Sequence, residues 1–89
     1  MERRTKIDII ARILELAEEK SKKTKIMYQA NLTHRLTIYY LSYLCEKGLI
    51  EYNHAHSCYE IKEKGRIFLQ HYRELQKIFK TKALHFILN

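Results

Sequence analysis

Two short β-prone runs, Leu49-Ile50-Glu51-Tyr52 and Cys58-Tyr59-Glu60-Ile61, flank the polar stretch Asn53-His54-Ala55-His56-Ser57. This is the pattern of a small hairpin. On both sides of it the apolar residues recur at helical spacings, and no proline and only two glycines interrupt the chain. Nothing divides the sequence into two domains. It therefore has to be built as helices before and after a single small ribbon.

Ile7, Ile10, Leu14 and Ala17, with Ile9, Ile13 and Leu16 beside them, predict an amphipathic helix from about Thr5 to Glu19. The run Lys20-Ser21-Lys22-Lys23-Thr24-Lys25 is a polar break. After it Thr24 can cap a short second helix carrying Ile26, Met27 and Ala30, which ends near Asn31. Thr33 offers another N-cap. The segment His34 to Lys47 then places Leu36, Tyr40 and Leu44 on one face before Gly48, which can take the left-handed C-terminal conformation. Beyond the hairpin, Phe68, Tyr72, Leu75 and Phe79 keep a four-three-four spacing, so a last helix runs from about Lys64 toward Phe86.

The expected fold is mainly α with a small β-hairpin: a winged helix-turn-helix over residues 1–63, and a long C-terminal helix over 64–89 that belongs to the same single domain. Eighty-nine residues can bury an adequate but not a generous core, so self-association would help. The net charge is +7 and the pI about 9.5, a field suited to a polyanion. No run approaches the ~18 apolar residues of a membrane span, and Met1-Glu2-Arg3-Arg4 leads into a charged helix rather than a signal-peptide core. The expected location is the cytoplasm with the nucleoid, or a host's cytoplasm for a viral chain.

Two helices joined by a short turn, the second leading into a hairpin, let one helix enter a major groove while the hairpin meets the flanking backbone. With Leu36, Tyr40 and Leu44 inward, His34, Arg35, Thr37, Ile38, Tyr39 and Ser42 face out beside Thr33. This face offers arginine for guanine edges, hydroxyls for base or phosphate, and Ile38 for a thymine methyl. Ile38, Tyr39 and Tyr43 can equally pack against neighbouring helices, so the group carries the argument rather than any one residue. Lys22, Lys23, Thr24 and Lys25 lie at the start of the second helix, where backbone N–H groups also favour phosphate. Arg3, Arg4 and Lys6 form a second basic cluster, either following the backbone or simply solvated.

The hairpin itself is not a basic arm. From Leu36 to Ile61 the only Lys or Arg is Lys47, against Glu46, Glu51 and Glu60. His54 and His56 are its expected DNA contacts. Cys45, His54, His56 and Cys58 have the ligand types of a zinc site but not its paired short spacings, so no metal or other cofactor is expected. The two cysteines are expected as reduced thiols, a bridge being the alternative. No phosphate loop, HExxH or nucleophile elbow occurs, so the chain is not expected to be an enzyme or to act on a small molecule.

The last helix is longer than a three-helix core can cover. Its stripe of Phe68, Tyr72, Leu75, Phe79 and Phe86 either packs antiparallel on a second copy, which is expected, or bends back over its own domain. Ala83-Leu84-His85-Phe86-Ile87-Leu88 is nearly all apolar and is expected to dock on the partner.

The runs Lys23-Thr24-Lys25-Ile26-Met27-Tyr28-Gln29-Ala30-Asn31-Leu32, Tyr40-Leu41, Glu46-Lys47-Gly48-Leu49-Ile50, Tyr59-Glu60-Ile61 and Glu63-Lys64-Gly65 resemble the archaeal winged-helix proteins of about ten kilodaltons, the crenarchaeal chromatin-associated 10a type and related regulators. The resemblance spans residues 3 to 75. It implies a winged helix, double-stranded DNA binding, and dimerisation through an antiparallel C-terminal coiled coil. On this chain it places the recognition helix at His34 to Lys47, the wing at Tyr52 to Tyr59, and the dimer helix around Phe68 to Phe79. Lys62 departs from the threonine of many relatives, and the tail after Lys82 is more apolar than theirs. A transcriptional regulator or nucleoid-associated protein is therefore expected. The alternative is a protein-interaction module in an archaeal transcription or viral assembly, and RNA stacking on Tyr39 and Tyr43 is a third reading.

Overall fold

Thr5 begins the first helix by a reciprocal exchange: its hydroxyl accepts from the Asp8 backbone N–H at 3.0 Å, and the Asp8 carboxylate accepts from the Thr5 N–H at 3.1 Å. This capping box satisfies two otherwise orphaned donors. The structure, a computed structural model, describes residues 4–88, with side chains described for residues 4–78. Its elements are α1 (Lys6–Glu18), α2 (Lys23–Gln29), α3 (His34–Glu46), β1 (Ile50–Asn53), β2 (Cys58–Ile61) and α4 (Glu63–Leu88). This is the mainly helical, single-hairpin architecture that the sequence predicts, with boundaries moved by a residue or two.

The breaks between helices follow the same local rules. Lys20 and Asn31 take left-handed backbone angles (φ 58° and 54°) after α1 and α2. Asparagine tolerates that region, and lysine does so at a steric cost. Thr24 is not the cap of α2. That position is Lys22, which makes no side-chain capping bond, and Thr24 lies inside the first turn. Thr33 does cap α3, accepting from the Leu36 N–H at 3.1 Å, and Gly48 closes it with φ 79°.

The core is formed by Ile13, Leu14, Leu16, Ile26, Leu44, Ile50 and Leu69, all essentially inaccessible. α1 is the central element, packed against α4 and β2. The hairpin is antiparallel, with Ile50 opposite Ile61 and Tyr52 opposite Tyr59. Both isoleucines are buried, as is Cys58 at the other end of β2, whereas Glu51 and Tyr52 are exposed.

The packing corrects the predicted rotation of α3. Leu36, expected inside, is 43% exposed, and Thr37, expected outside, is fully buried. The inner face is Thr37, Tyr40, Leu41 and Leu44. The Thr37 hydroxyl donates to the Thr33 carbonyl at 2.8 Å, so the buried oxygen is paired and its methyl packs as an aliphatic group would.

Among the described residues of α4, those that turn inward are Gly65, Leu69 and Tyr72. Tyr72, expected on a stripe between subunits, is 8% exposed, and its hydroxyl donates to Asp8 Oδ1 at 2.6 Å. Burial, followed by this hydrogen bond to a carboxylate, pushes the phenol well above its usual range. Arg73 meets Glu18 and Glu15 along the same seam at 3.2 and 3.9 Å, half-exposed pairs that add little.

Gly65 lets α4 start where it does. A Cβ there would lie 2.7 Å from Ile61 Cγ1 and closer still to the Leu49 carbonyl oxygen. Only a residue without a side chain allows the first turn to sit on the end of the hairpin. Gly65→Ala is expected to destabilise the fold by about 2 kcal/mol, the usual cost of overpacking, read as a lowered denaturation midpoint. An unchanged midpoint would show that the helix start can shift freely.

Candidate nucleic-acid interface

With its rotation fixed, α3 presents His34, Arg35, Leu36, Ile38, Tyr39, Ser42 and Tyr43 to solvent. Helical geometry sorts them into rows. Arg35, Ile38 and Ser42 follow one another at i, i+3 and i+7, and Leu36, Tyr39 and Tyr43 form a flanking row. The tyrosine rings stack at 6.4 Å with 12° between their planes, and Lys47 Nζ lies 5.8 Å over the Tyr43 ring. An aliphatic and aromatic strip of this kind is unusual for a face that is merely solvated.

The lysine-rich segment is held in place by a residue that the sequence reading did not single out. Ser21 is buried, and its hydroxyl donates to the Leu16 carbonyl at 2.7 Å. Its own carbonyl accepts from the Tyr59 N–H at 2.8 Å, an isolated bridge to β2. The flanking lysines are thereby fixed beside the hairpin. Among the described residues no carboxylate pairs with Lys22 or Lys23, whereas Lys25 Nζ lies 3.3 Å from Glu19 Oε1. Lys22 and Lys23 are thus open cations of this segment, as is Lys20 before Ser21, and Thr24 is exposed beside them.

Asn53 shapes the wing. Its side-chain oxygen accepts from the Ala55 and His56 N–H groups at 2.9 and 3.2 Å, and its amide donates to Glu60 Oε2 at 2.7 Å. Ser57 completes the turn at φ 52°. His54 and His56 are exposed at the tip, and the Tyr52 ring contacts His54 edge-on at 4.8 Å and Tyr59 at 4.9 Å.

The structure thus leaves twelve of the thirteen expected DNA-facing residues on the surface: Lys22, Lys23, Thr24, Lys25, Thr33, His34, Arg35, Ile38, Tyr39, Ser42, His54 and His56. Thr37 is the exception, because it is sealed in the core. Arg4, read from the sequence as either following a DNA backbone or simply solvated, has a structural partner instead. Its guanidinium donates to the carbonyls of Ala30 and Asn31, capping the last turn of α2 where a cation is favoured. Lys6 is exposed, and Arg3 lies outside the described residues.

On α4, Leu75 and Ile78 are 38% and 71% exposed and Phe68 is half-buried. A shallow apolar groove lined by Ile7, Phe68, His71, Tyr72 and Leu75 runs beside them. The side chains of Phe79 and Phe86 lie outside the described residues.

Both cysteines are free. Burial, then the nearby Glu51, raises the Cys45 thiol, so it stays protonated. Among the described residues no group of three or more His, Cys, Asp or Glu could hold a metal ion, and no helix is long and apolar enough to cross a membrane.

The sequence model of the winged helix-turn-helix family matches residues 3–80. The crystal structure of Sso10a-2, a DNA-binding protein from Sulfolobus solfataricus, superposes with a TM-score of 0.74 at 30% identity, covering 84% of this chain and 81% of that one. The transcriptional repressor CouR, bound to p-coumaroyl-CoA, shares the fold at a TM-score of 0.61 and 17% identity, over 97% of this chain and 69% of that one. Among curated proteins none matches the chain.

Arg4→Ala is expected to lower stability by about 1 kcal/mol, the worth of a typical hydrogen bond lost from the end of α2, measured by denaturant unfolding. Unaltered stability would instead return Arg4 to the solvent-facing role.

Proposed function

The chain belongs to the winged helix-turn-helix family, and we propose that it binds double-stranded DNA as a homodimer, serving as a transcriptional regulator or nucleoid-associated protein in the cytoplasm. The observation that carries this reading is the outer row of α3, with Arg35, Ile38 and Ser42 exposed together. α3 enters the major groove and these side chains meet base edges. Lys22 and Lys23 grip phosphate beside it, setting register without reading sequence. The wing supplies His54 and His56 to the flanking backbone. The similar Sso10a-2 is described as a DNA-binding protein, which supports the assignment. No catalytic role is assigned to any residue.

Residues 1–63 form the DNA-binding part and residues 64–89 the dimerisation helix of the same domain. α4 has 26 residues and rises about 39 Å at 1.5 Å per residue. Leu75 on its outer side remains bare, as does Ile78. An antiparallel copy covers such a stripe and presents two α3 helices to successive major grooves, about 34 Å apart.

Duplex binding measured against salt is expected to give a log–log slope of about −3 or steeper, with each phosphate contact contributing about −0.9. Lys23→Ala should reduce that slope by about one and weaken all sequences alike, whereas Arg35→Ala should relax sequence preference by about 1–3 kcal/mol. A slope near zero, or no binding at low ionic strength, contradicts the proposal.

Sedimentation equilibrium at micromolar concentration should return twice the 10.8 kDa of one chain. Leu75→Glu, which places a charge in the bare stripe, should return the single-chain mass. A wild-type monomer rules out the dimer.

A further inference from the structure

We infer that α3 reads thymine by its C5-methyl group through Ile38, so that A·T pairs are selected by apolar contact rather than by hydrogen bonding. This rests on the DNA binding proposed above and names what the same face recognises.

The inference comes from which chemistries the fold leaves on that face. α3 contains neither asparagine nor glutamine, the side chains that pair bidentately with adenine N6 and N7. The Thr37 hydroxyl is buried and committed to the Thr33 carbonyl. Arg35 can fork to guanine O6 and N7, and Ser42 offers one adaptable hydroxyl. What the face has in excess is bare hydrocarbon. Ile38 is 43% exposed, one turn after Arg35 and one turn before Ser42, in the row that points away from the core. Leu36 and the stacked Tyr39 and Tyr43 form the flanking row, so Ile38 is the aliphatic group placed among the base-reading side chains.

In the major groove, thymine carries the apolar C5-methyl that distinguishes it, while cytosine presents an N4 donor there and adenine and guanine present polar edges. Covering the exposed part of Ile38 with that methyl removes apolar surface from water on both partners. Covering it with a cytosine or purine edge desolvates a polar group without a partner. Charge brings the duplex close, and this difference in desolvation then selects the base.

The test is a fluorescence-anisotropy titration of the full chain against two duplexes of alternating A·T sequence, one made with thymine and one with uracil, which lacks only the methyl. The wild-type chain is expected to bind the thymine duplex more tightly by about fourfold for each methyl contacted, the transfer free energy of one buried methyl group. Ile38→Ala, a change at an exposed position, should bind both duplexes alike.

Equal wild-type affinity for the two duplexes overturns methyl reading while leaving DNA binding intact. So does full discrimination retained by Ile38→Ala. Binding to a G·C duplex but to neither A·T nor A·U duplex has the same meaning. Failure to bind any duplex at low salt removes the underlying proposal and this inference together.

Discussion

The rotation of α3 about its own axis decides what a ligand can meet, and it is set by four inward side chains. Thr37 and Leu44 are fully buried, with Leu41 and Tyr40 nearly so. Turning the helix by one residue would drive Ile38 and Ser42 toward the core and turn Tyr40 and Leu44 out of it. Deeply buried aliphatic groups are each worth about 1.5–3 kcal/mol relative to exposure, so the alternative rotation is strongly disfavoured. Arg35 and Ile38 therefore face outward because of residues that never touch a ligand.

The same logic fixes the surroundings of α3. α1 fills the centre, and α4 is pinned to it by Leu69, by the Tyr72–Asp8 hydrogen bond and by the close approach at Gly65. Asp8 links two elements, closing the capping box of α1 and accepting from α4. Ser21 ties the lysine segment to both α1 and β2. α3, the lysine segment and the hairpin are thus held together as one unit, which reduces the ordering cost of the DNA binding proposed for them. α4 spends one face on this scaffold and leaves Leu75 and Ile78 outside, an apolar patch with no internal use among the described residues.

Much of this architecture was legible from residues alone. Thr33 and Gly48 marked the two ends of α3 because cap chemistry is local, and the hairpin was legible from its two β-prone runs around a polar stretch. The rotation of α3 was not. Leu36, Ile38, Tyr39, Tyr40, Leu41, Tyr43 and Leu44 place apolar atoms on every side of that helix, so periodicity had no unique phase. The deciding residue was a threonine, whose polarity disguised a satisfied core position. Arg4 and Ser21 were missed for another reason. Each acts through backbone groups far away in sequence, and such contacts leave no local signature. Of the candidate site, the set of exposed residues was largely anticipated. Which apolar residue lies between Arg35 and Ser42 on the exposed face depended on the rotation.

Electrostatics and shape divide the work on this surface. A chain of net charge +7 attracts any polyanion, but a field alone cannot tell one sequence from another. In the binding mode proposed above, discrimination falls to Ile38, between Arg35 and Ser42. The most direct measurement of the central claim is amide chemical-shift mapping of the full chain titrated with duplex DNA. Perturbations are expected to concentrate on His34 to Ser42 and on Lys22 to Lys25, with the buried end of α3 at Leu44 little changed. Shifts confined to α4, with α3 silent, would contradict that claim.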